Sequence, residues 1–492
     1  MDVVKMYVLG IDFGGGASKA TLLSDKGKVI ATATAEYQTL TGADGLREQV
    51  PMDWFNSTVK NIKSVMSSSG VNPEEIAALC LDAATHTAVL MDDNFNVVRN
   101  SVYWTDTRSV LQKKFLEENF GDDIFNKFKH RVDTIWTLPE LLWIKETEPK
   151  VWSKVKKVTF AKDYVRHLFT GDFVTDYIEA EGSMFFDFDK KTWDEDYLKL
   201  LGLSKNNLPE VVSPADIVGF VTDRASTVTG LKTGTPVICG STDTAMEVYA
   251  SGASKLGQMT IKVATAGRIC IITDKITPDS HLVSYSHLKD GYYYPGTATK
   301  GCASSLRWFR DTFSGDYTEF DELAKSVPVG ADGLIFHPYI NGELTPYGNP
   351  NLKGSFVGIT ATHTKAHFIR SILEGVAMSL LDCKNYLLQR GYRLPHTAFI
   401  IGGGAKSKVW RQIISDTLNI KLIETEHSDS SFGSAMLAGV SAGFFENLDD
   451  AIKVCMAVKS ETVPNQENNR KYNEMFLMYK KTAKALEQIY NA

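Results

Sequence analysis

The chain has 492 residues, too many for one hydrophobic core, because single cores stop growing at about 250–300 residues. With 43% hydrophobic and 23% charged residues it has the composition of a globular rather than a disordered chain, and a net charge of −6 does not favour nucleic acid or an anionic membrane as the main partner, since both need basic surface. No apolar run approaches the roughly 20 residues of a spanning helix, and the first one ends at Asp12, too early for a signal peptide.

The expectation is a cytoplasmic, soluble protein with no nucleic-acid and no membrane partner. Cys80, Cys239, Cys270, Cys302, Cys383 and Cys455 are scattered, without a Cys-x-x-Cys pair. They read as buried reduced thiols in a reducing compartment.

In chain order, residues 6–11 form an apolar strand that meets Gly14-Gly15-Gly16, and strands at 20–23 and 29–34 follow. Residues 76–81, 89–91 and 97–102 read as strands, and 138–145 and 164–169 as helices. An apolar strand at 235–239 runs into a helix at 244–250. Residues 259–263 and 269–273 then repeat the opening strand–turn–strand, which points to a duplicated domain. A helix at 369–388 repeats Ile372, Leu373, Val376, Ala377, Leu380 and Leu381 on one face. A strand at 398–401 ends in Gly402-Gly403-Gly404, a small-residue helix spans 434–441, and the tail from Glu467 is a charged amphipathic helix. The layout is α/β. The domain boundary falls near residues 251–256, giving domains 1–253 and 254–492.

Four constellations carry chemistry. In the first, a strand delivers Asp12, then Gly14, Gly15 and Gly16, then Lys19. Backbone amides of such a turn converge on an anion, Asp12 is a candidate Mg²⁺ ligand, and Lys19 a counter-charge. The alternative is a plain tight turn with a solvated lysine. In the second, Asp243 and Thr244 stand at a strand end that opens a helix. There an ionised aspartate takes a proton from a substrate hydroxyl, or else simply caps the helix. The third is Gly403-Gly404-Ala405, whose glycines allow packing against a flat ring such as adenine, or make only a tight turn. The fourth is Thr85-His86, which offers hydrogen bonds to sugar hydroxyls, although a lone histidine is more often structural.

Taken in order, these segments resemble the FGGY carbohydrate kinase family, and within it the xylulokinase branch. Trp104 to Arg108 and Leu138-Pro139-Glu140-Leu141-Leu142-Trp143 contribute to the likeness, as do Lys162-Asp163-Tyr164 and Thr175-Asp176. Gly354 to Ile359, Glu374-Gly375-Val376-Ala377, and Gly402 to Ser407 with Trp410 and Asp416 extend it over nearly the whole chain. The resemblance implies two actin/RNase H-like domains around a central cleft, with ATP and Mg²⁺ as cofactors, a small sugar as substrate and a homodimer. Carried over by position, it makes Asp243 the catalytic base and Asp12 the metal residue. Gly14, Gly16 and Lys19 fall in the first phosphate segment, and Thr265 and Gly267 in the second. Gly403, Gly404 and Ala405 fall in the adenosine segment. Thr85 and His86 stand against the sugar.

The departures are Gly15 where a threonine is usual, Ala83-Ala84-Thr85-His86-Thr87 for Gly-Gln-Met-His-Gly, Thr244 for asparagine, Glu140 for lysine, and Ala264-Thr265-Ala266-Gly267 for Gly-Thr-Ser-Gly. The implied activity is phosphorylation of D-xylulose at its terminal hydroxyl, or of another ketopentose, gluconate or a polyol. Two rivals remain: a sugar-binding protein without catalysis, and a chaperone or filament relative that hydrolyses ATP without sugar.

Overall fold

The computed structural model describes residues 6–491. Two compact units form. The first comprises the chain up to Gly252 with Tyr285–Gly291 and His427–Met456; the second comprises Ala253–Ser284, Tyr292–Glu426 and the chain from Ala457.

The sheet of the first unit contains β1 (Tyr7–Phe13), β2 (Ala17–Ser24), β3 (Val29–Glu36), β4 (Ile76–Ala83), β5 (Ile217–Phe220) and β6 (Pro236–Thr242), ordered β5-β6-β4-β1-β2-β3. β1, β2 and β3 are an antiparallel meander, whereas β4 runs parallel to β1 and β6 parallel to β4. β1 is apolar on both faces because both are covered. Leu9, Ile11 and Phe13 pack with Trp54 and Ile62 of α1 (Pro51–Ser69). Val8, on the opposite face, packs with Phe432 and Ala435 of the late-chain helix Ser430–Ser441. Gly10 lets that helix approach, since a Cβ there would meet the Ser431 carbonyl oxygen at 2.0 Å.

The second unit repeats the arrangement with β7 (Met259–Val263), β8 (Gly267–Ile271), β9 (Gly296–Thr299), β10 (Thr397–Ile401), β11 (Lys421–Thr425) and β12 (Val458–Thr462), ordered β9-β8-β7-β10-β11-β12. β7, β8 and β9 are again antiparallel, and β10 and β11 continue in parallel. The long helix Lys365–Gln389 buries Ile372, Leu373, Val376, Ala377, Leu380 and Leu381 against this sheet, which is the periodic face seen in the sequence. A meander followed by parallel strands, used twice, is the actin/RNase H-like fold.

Two expectations shift. The strand expected at 97–102 shrinks to Ser101–Val102 plus one bridge from Val97 to Met91, because Asp92 folds 92–96 into a turn by accepting from the amides of Asn94 and Asn96. The strand expected at 269–273 instead runs Gly267–Ile271: Gly267 joins the sheet between Val263 and Thr299, where a Cβ would lie 2.7 Å from Thr299 Cγ2. All six cysteines are buried.

Candidate active site

In the first unit, the strand register lines up the acidic residues. Asp12 pairs with Lys19 on one side and Asp82 on the other, and Asp82 pairs with Ser241, two residues before Asp243. The Asp12 and Asp82 carboxyls lie side by side on adjacent strands, and each shifts the titration of the other. Burial, then the nearby charges of Asp243 and Glu247, push Asp12 up to about 7, while the bond from Asp82 pulls the other way. Asp82 lies well above the usual carboxylate range, chiefly through burial and then the Asp12 charge. Its Oδ2 accepts from Ser434 Oγ at 2.5 Å.

Asp243 opens the helix Asp243–Ala250 but does not cap it. Thr242 is the cap, its Oγ1 accepting from the Ala245 amide at 3.2 Å. Asp243 Oδ1 takes the Thr244 amide at 2.6 Å and the Thr244 hydroxyl at 3.2 Å, and among the described residues Oδ2 takes no protein donor. The carboxylate is therefore held at one oxygen and open at the other. Glu247, one turn later, shares its face.

The Gly14-Gly15-Gly16 turn is braced from behind. Gly14 O accepts from Tyr37 Oη at 2.5 Å and Gln49 Nε2 at 3.2 Å, Gly15 O from Thr39 Oγ1, and Gly16 O from the Tyr37 amide at 3.0 Å. The amides of Gly15 and Gly16 take no acceptor among the described residues and are donors suited to an anion. Lys19 is paired with Asp429 at 2.8 Å.

Thr85 and His86 sit on a tight loop after β4, with His86 at φ +71°. Glu179 fixes the loop by accepting from the His86 amide at 3.0 Å and Thr85 Oγ1 at 3.2 Å. The Gly182 carbonyl can only accept, so His86 Nδ1 carries the proton at 2.9 Å, and Nε2 accepts from Tyr285 Oη at 2.9 Å. Trp136 lies edge-on to His86 at 4.6 Å, and His130 stacks on Trp136 at 4.4 Å. The imidazole is thus a fixed part of an aromatic wall, with both nitrogens engaged by protein.

Behind these groups lies a buried ionic network. Lys162 contacts Asp163 at 2.5 Å and Asp176 at 2.9 Å. Asp176 Oδ1 also accepts from Ser241 Oγ at 2.8 Å and from the amides of Ile178 and Glu179. Glu140, by contrast, is buried without a hydrogen-bond partner at either oxygen. Burial, followed by the Asp106 charge, raises its carboxyl well above normal against the pull of Arg99 and Arg108.

In the second unit a cavity of about 610 Å³ is lined by Thr265, Leu306, Tyr317, Asp321, Gly403, Gly404 and Trp410 among others. Gly404 is a glycine of necessity: a Cβ would lie 2.5 Å from Val263 Cγ1 and 2.9 Å from Trp410. Ser407 caps the helix Lys408–Leu418 through the Trp410 amide at 3.0 Å and donates to Asp321 Oδ1 at 2.7 Å. Apolar walls with a few polar groups suit a purine nucleoside in size and character. Gly267 and Ala405 are not part of the lining: Gly267 is enclosed in the sheet, and the Ala405 carbonyl accepts from Arg411.

Among the described residues no group of three or more His, Cys, Asp or Glu side chains is arranged to hold a metal ion. Hard oxygen donors one or two at a time, as at Asp12, nevertheless fit Mg²⁺, which keeps most of its waters and is shared with phosphates. Asp82, Glu179, Trp136, Tyr285 and Asp429 were not singled out from the sequence. Only Asp82, a carboxylate at the end of an apolar strand, left a signal there.

Two actin/RNase H-like units, one with grouped carboxylates beside an anion-type turn and the other with a nucleoside-sized cavity, define a phosphotransferase. The N-terminal domain of the FGGY family of carbohydrate kinases matches residues 7–249 and the C-terminal domain residues 269–442, so the chain belongs to that family. It is therefore a sugar kinase that uses ATP. It is 32% identical to a xylulose kinase of Bacillus subtilis over 480 residues, 96% of each chain. It is 27% identical to a gluconokinase of Bacillus licheniformis over 507 residues, 98% of this chain and 97% of that one. Among solved structures, a xylulose kinase from Lactobacillus acidophilus shares its fold at TM-score 0.91 with 24% identity, covering 99% of both chains. A gluconate kinase from the same organism matches at TM-score 0.91 with 25% identity, again over 99% of both. Among the described residues no helix is long and apolar enough to cross a membrane.

Proposed function

We propose that this kinase transfers the γ-phosphoryl group of ATP to the terminal hydroxyl of D-xylulose, giving D-xylulose 5-phosphate, with Asp243 as the base. The observation that carries the base is local: Thr242 caps the helix, so Asp243 is spared that task and keeps Oδ2 open at the end of β6. The acceptor hydroxyl gives its proton to Asp243 as its oxygen attacks phosphorus. The amides of Gly15 and Gly16, with Lys19, hold phosphate charge. The adenosine moiety occupies the cavity lined by Thr265, Gly403 and Gly404.

Asp12 would hold Mg²⁺, which supplies charge neutralisation at the phosphates. Thr85 and the His86 wall shape the sugar side. The choice of D-xylulose rests on the xylulose kinase relatives. Gluconate is the second reading, supported by the gluconokinase relative that spans nearly the whole chain. The buried thiols of Cys80, Cys239, Cys302, Cys383 and Cys455, none in a disulfide, support a cytoplasmic site of action.

The test is ADP release with MgATP against D-xylulose, other ketopentoses, gluconate and polyols. D-xylulose should give the highest kcat/KM. A higher value for gluconate would replace the substrate, and ATP turnover indifferent to every sugar would overturn the reading. Asp243→Asn should lower kcat by at least about a thousandfold with sugar binding, followed by calorimetry, retained.

A further inference from the structure

Gly15 has no side chain, and it is exposed in the turn whose Gly15 and Gly16 amides take no acceptor among the described residues. The space a side chain would enter is already claimed. A Cβ built on Gly15 would lie 3.1 Å from the Tyr103 hydroxyl oxygen and 3.7 Å from its Cζ. Tyr103 is only 8% exposed and is anchored by its backbone, its amide donating to Arg47 O at 2.9 Å and its carbonyl accepting from the Asp106 amide at 2.7 Å. Its hydroxyl lies close enough to both Asp243 and Asp12 to feel their charges. Burial first, and then the Asp243 charge, hold the phenol proton on far above the ordinary tyrosine range. A neutral O–H thus stands over the glycine turn, able to donate.

We propose that Tyr103 is a further catalytic residue of this kinase, its hydroxyl donating a hydrogen bond to the phosphoryl oxygens gathered at the Gly14-Gly15-Gly16 turn. This rests on the reading of that turn as the phosphate site and of Asp243 as the base. In the step itself, the acceptor oxygen forms the new bond to the γ-phosphorus. The bond from that phosphorus to the β,γ-bridging oxygen breaks, and its electron pair leaves with ADP. The hydroxyl proton passes to Asp243. Tyr103 keeps its own proton and supplies one fixed donor to the equatorial oxygens, a contribution of the kind worth about 10²–10³ in kcat when all of it is felt in the transition state.

The test compares Tyr103→Phe, which removes only the oxygen, with the pair Tyr103→Leu and Tyr103→Leu/Gly15→Thr. Gly15 is not in the left-handed region, so threonine is sterically allowed there once the ring is gone. Tyr103→Phe should lower kcat about 10–100-fold, with the KM for sugar and ATP within about threefold and the melting temperature unchanged. Gly15→Thr should restore at least tenfold of the loss in Tyr103→Leu by bringing a hydroxyl from the other side. A Tyr103→Phe enzyme with kcat within twofold of the parent, or a double variant no better than Tyr103→Leu, overturns the proposal. Asp243→Asn run alongside separates the two readings. If it kills turnover while Tyr103→Phe is silent, only the role of Tyr103 falls; if it is itself silent, the base falls and Tyr103 with it.

Discussion

Glu140 shows how much one side chain can cost a fold. Its carboxyl is buried, lacks a hydrogen-bond donor at either oxygen and faces the Asp106 charge, so the folded state favours the protonated form. The folded-state value is raised, so the associated stability is complete below the unfolded carboxylate value and is lost as pH rises through the folded one. Glu140→Gln, which cannot ionise, should remove that loss. The melting-temperature gain of the variant over the parent should widen steadily between pH 5 and pH 8, and a constant difference would mean that Glu140 stays ionised and paired. The contrast with Asp243 is instructive: both are acids on helices, but only Asp243 keeps an oxygen open and half-buried at a strand end. Sequence alone made Asp243 a base or a cap, and the choice turned on its neighbour Thr242, whose hydroxyl occupies the capping position.

Among the elements, the segment Val174–Asp176 with the short helix Tyr177–Glu181 links two parts of the site. Asp176 holds Ser241 in β6, two residues before Asp243, and its own helix carries Glu179, which holds the Thr85–His86 loop. Asp176→Asn would leave Lys162 buried against a single carboxylate. The expected cost is about 3–5 kcal/mol of stability, with sugar KM and kcat impaired together. Chemical unfolding and steady-state kinetics on the same preparation check this, and impairment of kcat alone would detach Asp176 from the sugar loop. Ser241→Ala, which removes one donor but leaves the ion pair, should be several-fold milder in both readouts.

At the level of the whole molecule, what the sequence disclosed was local. The glycine turns, the paired hairpin starts and the aspartates at strand ends were readable because each depends on neighbours a few residues away. Tyr103 over Gly15, Asp82 against Ser434 and Lys19 against Asp429 were not, because each joins chain segments far apart in the sequence and no periodicity reports them. The same reason hid the composition of the first unit, whose sheet is completed by the helix Ser430–Ser441 from late in the chain. A fragment ending at Gly252 should therefore expose Val8, Ala78 and Ile238 and bind hydrophobic dyes. Fusing residues 427–456 to it through a flexible linker should restore cooperative unfolding. Cooperative unfolding of the shorter fragment alone would show that the late helix is dispensable.

That late helix also bears on synthesis. A ribosome that has released Gly252 must still translate some two hundred residues before Met456 appears, an interval of about 10–40 s at ordinary elongation rates. Throughout it, the strand that carries Asp12 has one apolar face with no lid. The nascent chain therefore depends on whatever shields it in that window, and the yield of active kinase should respond to translation speed and chaperone supply more than its equilibrium stability would suggest.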